Sequence, residues 1–193
     1  MKRKREKLGD RAQISATILG AHLSWAQQQW PDALQRLEGA LDAERFRLVS
    51  RTFEESDWVG FADTVAVAKA IAGLAGGDPN ATFYALGCQS AALNLAGAYR
   101  SFTPEEPHRF FDTMAFLHGS FQNFGRSSYE KLDARKGRIR LEGYVEYSPV
   151  YCESGRGYYE EALRMMRAPG PIQASETSCQ CSGEPACVYD LSW

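Results

Sequence analysis

The residues best suited to chemistry are crowded at one end of the chain. Of five cysteines in 193 residues, four lie between Cys152 and Trp193, and Glu176 stands just ahead of Cys179. The spacing is Cys152-x23-Glu176-x2-Cys179-x7-Cys187, with Cys181 as an additional thiol. Thiolate sulfur and one carboxylate form an acceptable tetrahedral donor set for zinc. Such a set would leave no open position at which to activate water, so the metal it describes is structural rather than catalytic. An odd, clustered set of cysteines reads poorly as a disulfide framework and better as ligands in a reducing, cytoplasmic setting. The competing reading is a group of buried free thiols in a sheet, because paired Cys-x-x-Cys knuckles are missing.

For these side chains to meet, the elements around them must converge. Tyr147-Ser148-Pro149 ends one segment, and a helix is predicted from Cys152 to about Arg167, stopped by Pro169-Gly170-Pro171. A helix start would place Cys152 at the positive dipole end, which favours thiolate. Ile172–Cys179 and Cys187–Leu191 read as a strand pair around Ser182-Gly183-Glu184-Pro185. That hairpin carries Glu176 and Cys179 on one arm and Cys187 on the other. Upstream, Ser128–Leu132 and Arg138–Glu142 form another strand pair, with Ile139 and Leu141 on the buried face. The C-terminal part is therefore ββαββ.

The first two thirds of the chain have helical periodicity. Ile14, Ile18, Ala21 and Trp25 share one face of a helix starting near Arg11; Pro31 then opens a second helix bearing Leu34, Leu37 and Leu41. Arg45–Phe53 is ambiguous between helix and connector. Ser56-Asp57 is expected to cap a helix from Trp58 to Gly76-Gly77. A long helix rich in Ala and Gly spans about Asn80 to Phe102, and its small residues suit close packing against a neighbour. A further helix runs from His108 to about Phe121. Its rings, with Phe124 and Tyr159, exceed what one amphipathic face requires. A core would absorb most of them; the rival is an aromatic-lined pocket, for which Phe111, Met114, His118, Phe121, Phe124 and Tyr159 are the candidates. The expected class is α+β, with N-terminal helices packed on an antiparallel sheet. Residues 1–10 read as a basic tail and 11–193 as a single ligand-binding domain, helical over 11–125 and ββαββ over 126–193.

Composition excludes several classes. A hydrophobic content of 44% and aromatic content of 12% support a sizeable core rather than disorder. A net charge of -2 gives no basis for nucleic-acid binding, and no run is long and apolar enough to span a membrane. The arm Met1–Lys7 is basic but lacks the apolar stretch of a secretory signal. Dinucleotide, phosphate-loop and Ser/His/Asp patterns are missing, so no enzyme is expected. Glu105-Glu106 and Glu160-Glu161 read as solvated faces, Cys88 as an inert core thiol, and His118 as a packing residue before a haem ligand.

The run from Tyr147 to Trp193 resembles the 4-vinyl-reductase domain. Its pattern is matched by Cys152, Gly157-Tyr158, Glu176-Thr177-Ser178-Cys179, Gly183-Glu184-Pro185-Ala186-Cys187 and Tyr189. Upstream, Leu93-x3-Gly97-x-Tyr99-Arg100-x-Phe102 and Phe121-x2-Phe124-Gly125 look like a stand-alone group in that family, common in myxobacteria. The family includes sensory domains of phenol-responsive activators and is related more distantly to haem NO-binding domains and TRAPP tethering subunits. The resemblance implies Cys152, Glu176, Cys179 and Cys187 as zinc ligands, with Cys181 outside the pattern. It also implies an apolar cavity between helices and sheet for a hydrophobic or aromatic small molecule. No ATPase or DNA-binding segment follows Trp193, so an effector would be a separate protein. Two other classes stand beside the sensor: a homodimeric or partner-binding adaptor, as TRAPP subunits are, and a reductase suggested by the family's name alone.

Overall fold

Ser15 decides where the first helix begins. Its hydroxyl accepts from the Thr17 N–H at 3.3 Å and caps helix α1, Ala16–Gln29. The expected start near Arg11 is therefore corrected. Gln13–Ser15 is instead strand β1, paired antiparallel with β2, Trp58–Gly60. Ile14 is fully buried on the strand, so the apolar spacing that suggested a helix has another cause. The same pairing corrects the helix expected from Trp58, because α4 begins one strand later and spans Phe61–Ala75. The computed structural model describes residues 12–97 and 106–193. The basic arm Met1–Lys7 lies outside the described residues. So do Tyr99, Arg100 and Phe102 of the upstream motif, the stretch over which the long helix was expected to run on to Phe102, and the Thr103-Pro104-Glu105 punctuation.

Between these elements, α2 spans Ala33–Ala40, and the ambiguous stretch contains helix α3, Ala43–Val49. Helix α5, Pro79–Ala96, starts on Asp78, whose carboxylate accepts from the Asn80 N–H at 3.0 Å. Helix α6, Pro107–Phe116, is capped by Glu106, which accepts from the N–H groups of His108 and Arg109 at 3.1 and 2.8 Å. It ends before the expected Phe121, giving way to a 3₁₀ turn over His118–Ser120. Glu106 is thus a cap rather than a merely solvated charge.

The second half is ββαββ as expected. It comprises β3 (Arg126–Asp133), β4 (Lys136–Glu142), α7 (Pro149–Met165), β5 (Gln173–Ser178) and β6 (Ala186–Ser192). They form one antiparallel sheet in the order β3-β4-β6-β5. Helix α7 begins three residues earlier than predicted. Pro149 occupies its first turn and Ser148 caps it, accepting from the Val150 N–H at 3.3 Å. Cys152 therefore sits just inside the first turn.

The architecture is α+β, with helices packed against the sheet and a continuous apolar core running from Ala12 to Trp193. Helices α5 and α7 cross backbone to backbone. A methyl group added at Gly87 would lie 1.9 Å from the Ser154 carbonyl oxygen, and one added at Gly157 would lie 2.1 Å from that of Tyr84. Close packing is thus one use of the small-residue helix. Beside the crossing, Glu160 corrects the solvated reading. It is buried, and its Oε2 accepts from Tyr84 Oη at 2.5 Å and Arg164 Nη2 at 2.9 Å. Its Oε1 accepts from the Ala174 N–H at 3.0 Å, tying α7 to edge strand β5. Burial, then the bond to Glu160, pushes the Tyr84 hydroxyl up to about 12.

Candidate metal cluster and aromatic cavity

The four predicted ligands converge. One donor atom each from Cys152, Glu176, Cys179 and Cys187 lies within 4.8 Å of the others. Glu176 and Cys179 are three residues apart, and in a regular strand an odd separation would turn them to opposite faces. A β-bulge solves this: Glu176 pairs with Tyr189 but Ser178 pairs with Val188, so one extra residue is taken up between them. Cys187, near the start of β6, and Cys152, in the first turn of α7, complete the set. Cys181 lies in the 3₁₀ turn Gln180–Ser182 and is not among the four donors brought together.

The sulfur geometry is restrictive. The Sγ–Sγ distances are 3.6 Å for Cys152–Cys179, 4.0 Å for Cys152–Cys187 and 3.9 Å for Cys179–Cys187. A disulfide would need about 2.05 Å. A tetrahedral ion with metal–sulfur bonds of about 2.3 Å sets its sulfurs about 3.8 Å apart. The triangle fits that ion and not a disulfide. Backbone donors prepare it for negative charge: the Gln180 N–H reaches Cys187 Sγ at 3.3 Å, and the Cys181 N–H points to Cys179 Sγ. The sulfur contact with Cys152 lowers the Cys187 thiol to about 7, and the same contact pushes the Cys152 thiol up. Burial, with its hydrogen bond to the Glu176 carboxylate, raises Cys179 to about 12.

A cavity of about 130 Å³ lies between the helices and the inner face of the sheet. Five of the six predicted pocket residues line it: Phe111, Met114, His118, Phe121 and Tyr159. Phe124 does not. It is buried against Phe61 and Tyr144, whose rings lie 5.3 and 5.1 Å from its own. The remaining walls were not foreseen. They include Phe110, Tyr144, Tyr151, Tyr158 and Tyr189, with Ser90 and Asn94 from α5. Gly-Tyr-Tyr at 157–159 and Tyr189 were visible as part of a motif, but nothing in their spacing marks which face they present. No charged side chain lines the cavity among the described residues.

Polar groups at the rim are mostly engaged. Tyr151 Oη donates to Gln122 Oε1 at 2.8 Å, and Gln122 Nε2 donates to the Phe124 carbonyl at 3.0 Å. His118 Nε2 lies 3.3 Å from that same carbonyl, and burial pushes its pKa down. Burial also pushes the Tyr151 and Tyr159 hydroxyls up, so both stay protonated. Tyr189 belongs to both sites: it walls the cavity and donates to the Cys152 carbonyl at 3.2 Å.

No family model matches the chain, and no curated protein does. Solved structures do. An H-NOX protein from S. oneidensis in the Fe(II)NO ligation state superposes with a TM-score of 0.70 at 13% identity, covering 93% of this chain and 98% of that one. An oxygen-binding H-NOX domain related to soluble guanylate cyclases gives 0.69 at 12%, covering 93% and 94%. An unliganded Fe(II) H-NOX mutant from K. algicida gives 0.66 at 8%, covering 93% and 96%. The chain shares the fold of these domains.

Haem, the group that this fold suggests, does not fit the cavity. A space of about 150 Å³ holds one benzene ring, and the 130 Å³ here is smaller still. A tetrapyrrole would need several such volumes. His118 is the one histidine on the wall and its Nε2 lies against a carbonyl. The buried tyrosines, held protonated, make poor axial ligands. Neither His22 nor His108 lines the space; His108 is held by Tyr129 Oη at 2.7 Å and the Ala134 carbonyl at 3.2 Å.

Proposed function

We propose that this chain is a non-catalytic sensory or regulatory domain of the 4-vinyl-reductase type. It would bind a small aromatic or apolar molecule in the cavity and one structural zinc at Cys152, Glu176, Cys179 and Cys187. The observation that carries the reading is the uncharged, ring-lined space of one-ring size, set between helices and sheet and sharing Tyr189 with the sulfur cluster. H-NOX structures of this fold are described in an Fe(II)NO ligation state and as an oxygen complex; a different occupant on the same fold is consistent with fold and function being separable. Zinc would close the cluster with four protein donors and act by bracing α7 against the β5–β6 hairpin. Residues 11–193 would form the ligand-binding unit, in a cytoplasmic setting that keeps the thiols reduced. Among the described residues no helix is long and apolar enough to cross a membrane.

Signalling would pass through a homodimer or a separate effector protein. Phe116, at 87% exposure, Val145 and Tyr147 are large apolar side chains left on the surface, which also supports the adaptor as a second reading. Native mass spectrometry of purified protein separates the two. One zinc per chain with a retained organic mass supports the sensor. An empty, metal-free chain that gains mass only by pairing with protein sinks it in favour of the adaptor.

A further inference from the structure

Resting on that cavity, we infer that its occupant is a neutral one-ring compound carrying a carboxamide or lactam edge, and that Asn94 is the residue that selects it. Asn94 lies on α5, is 7% exposed and lines the cavity. Its carboxamide makes no hydrogen bond to any described residue, whereas Ser90, one turn earlier on the same wall, donates to the Leu86 carbonyl at 2.9 Å. The amide is not sealed in the interior and is open to whatever occupies the cavity, which can supply its missing partner. Gln122, the other amide on the wall, is bonded at both ends, to Tyr151 and Phe124.

The chemistry of the missing partner follows from the side chain. A carboxamide presents one acceptor and two donors. An incoming amide edge satisfies Oδ1 and Nδ2 at once through two parallel hydrogen bonds, which an ether, a halide or a hydrocarbon cannot do. Charge is selected against. No Lys, Arg, Asp or Glu among the described residues lines the space, so a carboxylate or an ammonium would find no counter-ion among them. Volume sets the rest, since a space of about 130 Å³ is of one-ring size.

The test uses full-length protein and three probes of one size: benzamide, toluene and benzoate, titrated calorimetrically. Benzamide should bind at least about tenfold more tightly than toluene, and benzoate should not bind. In Asn94→Leu, benzamide should weaken by about tenfold or more while toluene binds as well as before or better. Retained toluene binding shows that the cavity is still formed. Equal benzamide affinity in Asn94→Leu and the parent chain, or tighter benzoate than benzamide, overturns the assignment to Asn94 and leaves the cavity reading standing. Failure of all three probes to bind the parent chain overturns the assignment and the cavity reading together.

Discussion

The sulfur cluster and the aromatic cavity share α7, β6 and Tyr189, yet they are held in place by opposite means. The cluster gathers four donors from three elements into a space 4.8 Å across, with a bulge in β5 correcting the face of Glu176. The cavity is what remains when rings from helices and sheet fail to fill the space between them. One region is defined by atoms that would bond to something, the other by atoms that touch too little. Function placed in a gap is therefore sensitive to volume, and function placed in a cluster is sensitive to atom type.

The largest effect that would sharpen this contrast belongs to the cluster. Cys187→Ser changes one atom and is expected to lose the zinc and more than about 4 kcal/mol of stability, because metal binding and folding are coupled in such sites. Metal content and a denaturant melt check it; full stability in a metal-free parent would break the comparison at its root. Next comes the tie that serves both regions. Glu160→Ala strands Tyr84, Arg164 and the Ala174 N–H and is expected to cost about 3 kcal/mol, read in the same melt.

A third, pH-dependent effect lies in the helical layer away from both. His22 is buried with neither ring nitrogen paired, and burial lowers its pKa from 6.5 to about 4. The folded state prefers neutral His22, so its contribution is intact above about 6.5 and declines as the pH falls from there toward 4. At pH 5 the loss is about 2 kcal/mol. In His22→Leu, the part of the acid destabilisation between pH 7 and pH 5 due to this residue should vanish. The smallest stability effect belongs to the cavity. Ala115→Met puts a flexible side chain into the gap and should move stability by less than about 1 kcal/mol. The same change should abolish binding of a one-ring ligand by calorimetry, which sets the volume-sensitive site apart from the atom-sensitive one.

Legibility in the sequence follows the same division. Cys152, Glu176, Cys179 and Cys187 could be read because thiols and a carboxylate at fixed spacing have few other reasons to cluster. The ββαββ order could be read from the change of period after Gly125. The pocket was read only in part. Aromatic density pointed to Phe111, Met114, His118, Phe121 and Tyr159, but Phe124 is equally aromatic and packs behind Tyr144. Asn94 was hidden because an amide on an Ala-rich helix has no local signature; its meaning comes from what fails to approach it. The starts of α1 and α4 were misplaced for a related reason. Ile14 fits a helical stripe and Trp58 follows a capping pair, and only the pairing of Ile14 with Val59 and of Ser15 with Trp58, across more than forty residues, makes these segments strands.

The crossing of α5 and α7 at Gly87 and Gly157 has a mechanical consequence. With backbone seated on backbone, the two helices have no side-chain layer along which to slide, so they behave as a single welded part. Cys152 and Tyr159 ride on that part, as does Asn94. A ligand that shifts anything on entering would have to shift the opposite wall, where α6 and the 3₁₀ turn meet the loop after β4. There His118 faces Tyr144, and Phe116 and Val145 stand in the solvent. The welded pair would be the anvil, and the surface that another protein could read would be the part that moves.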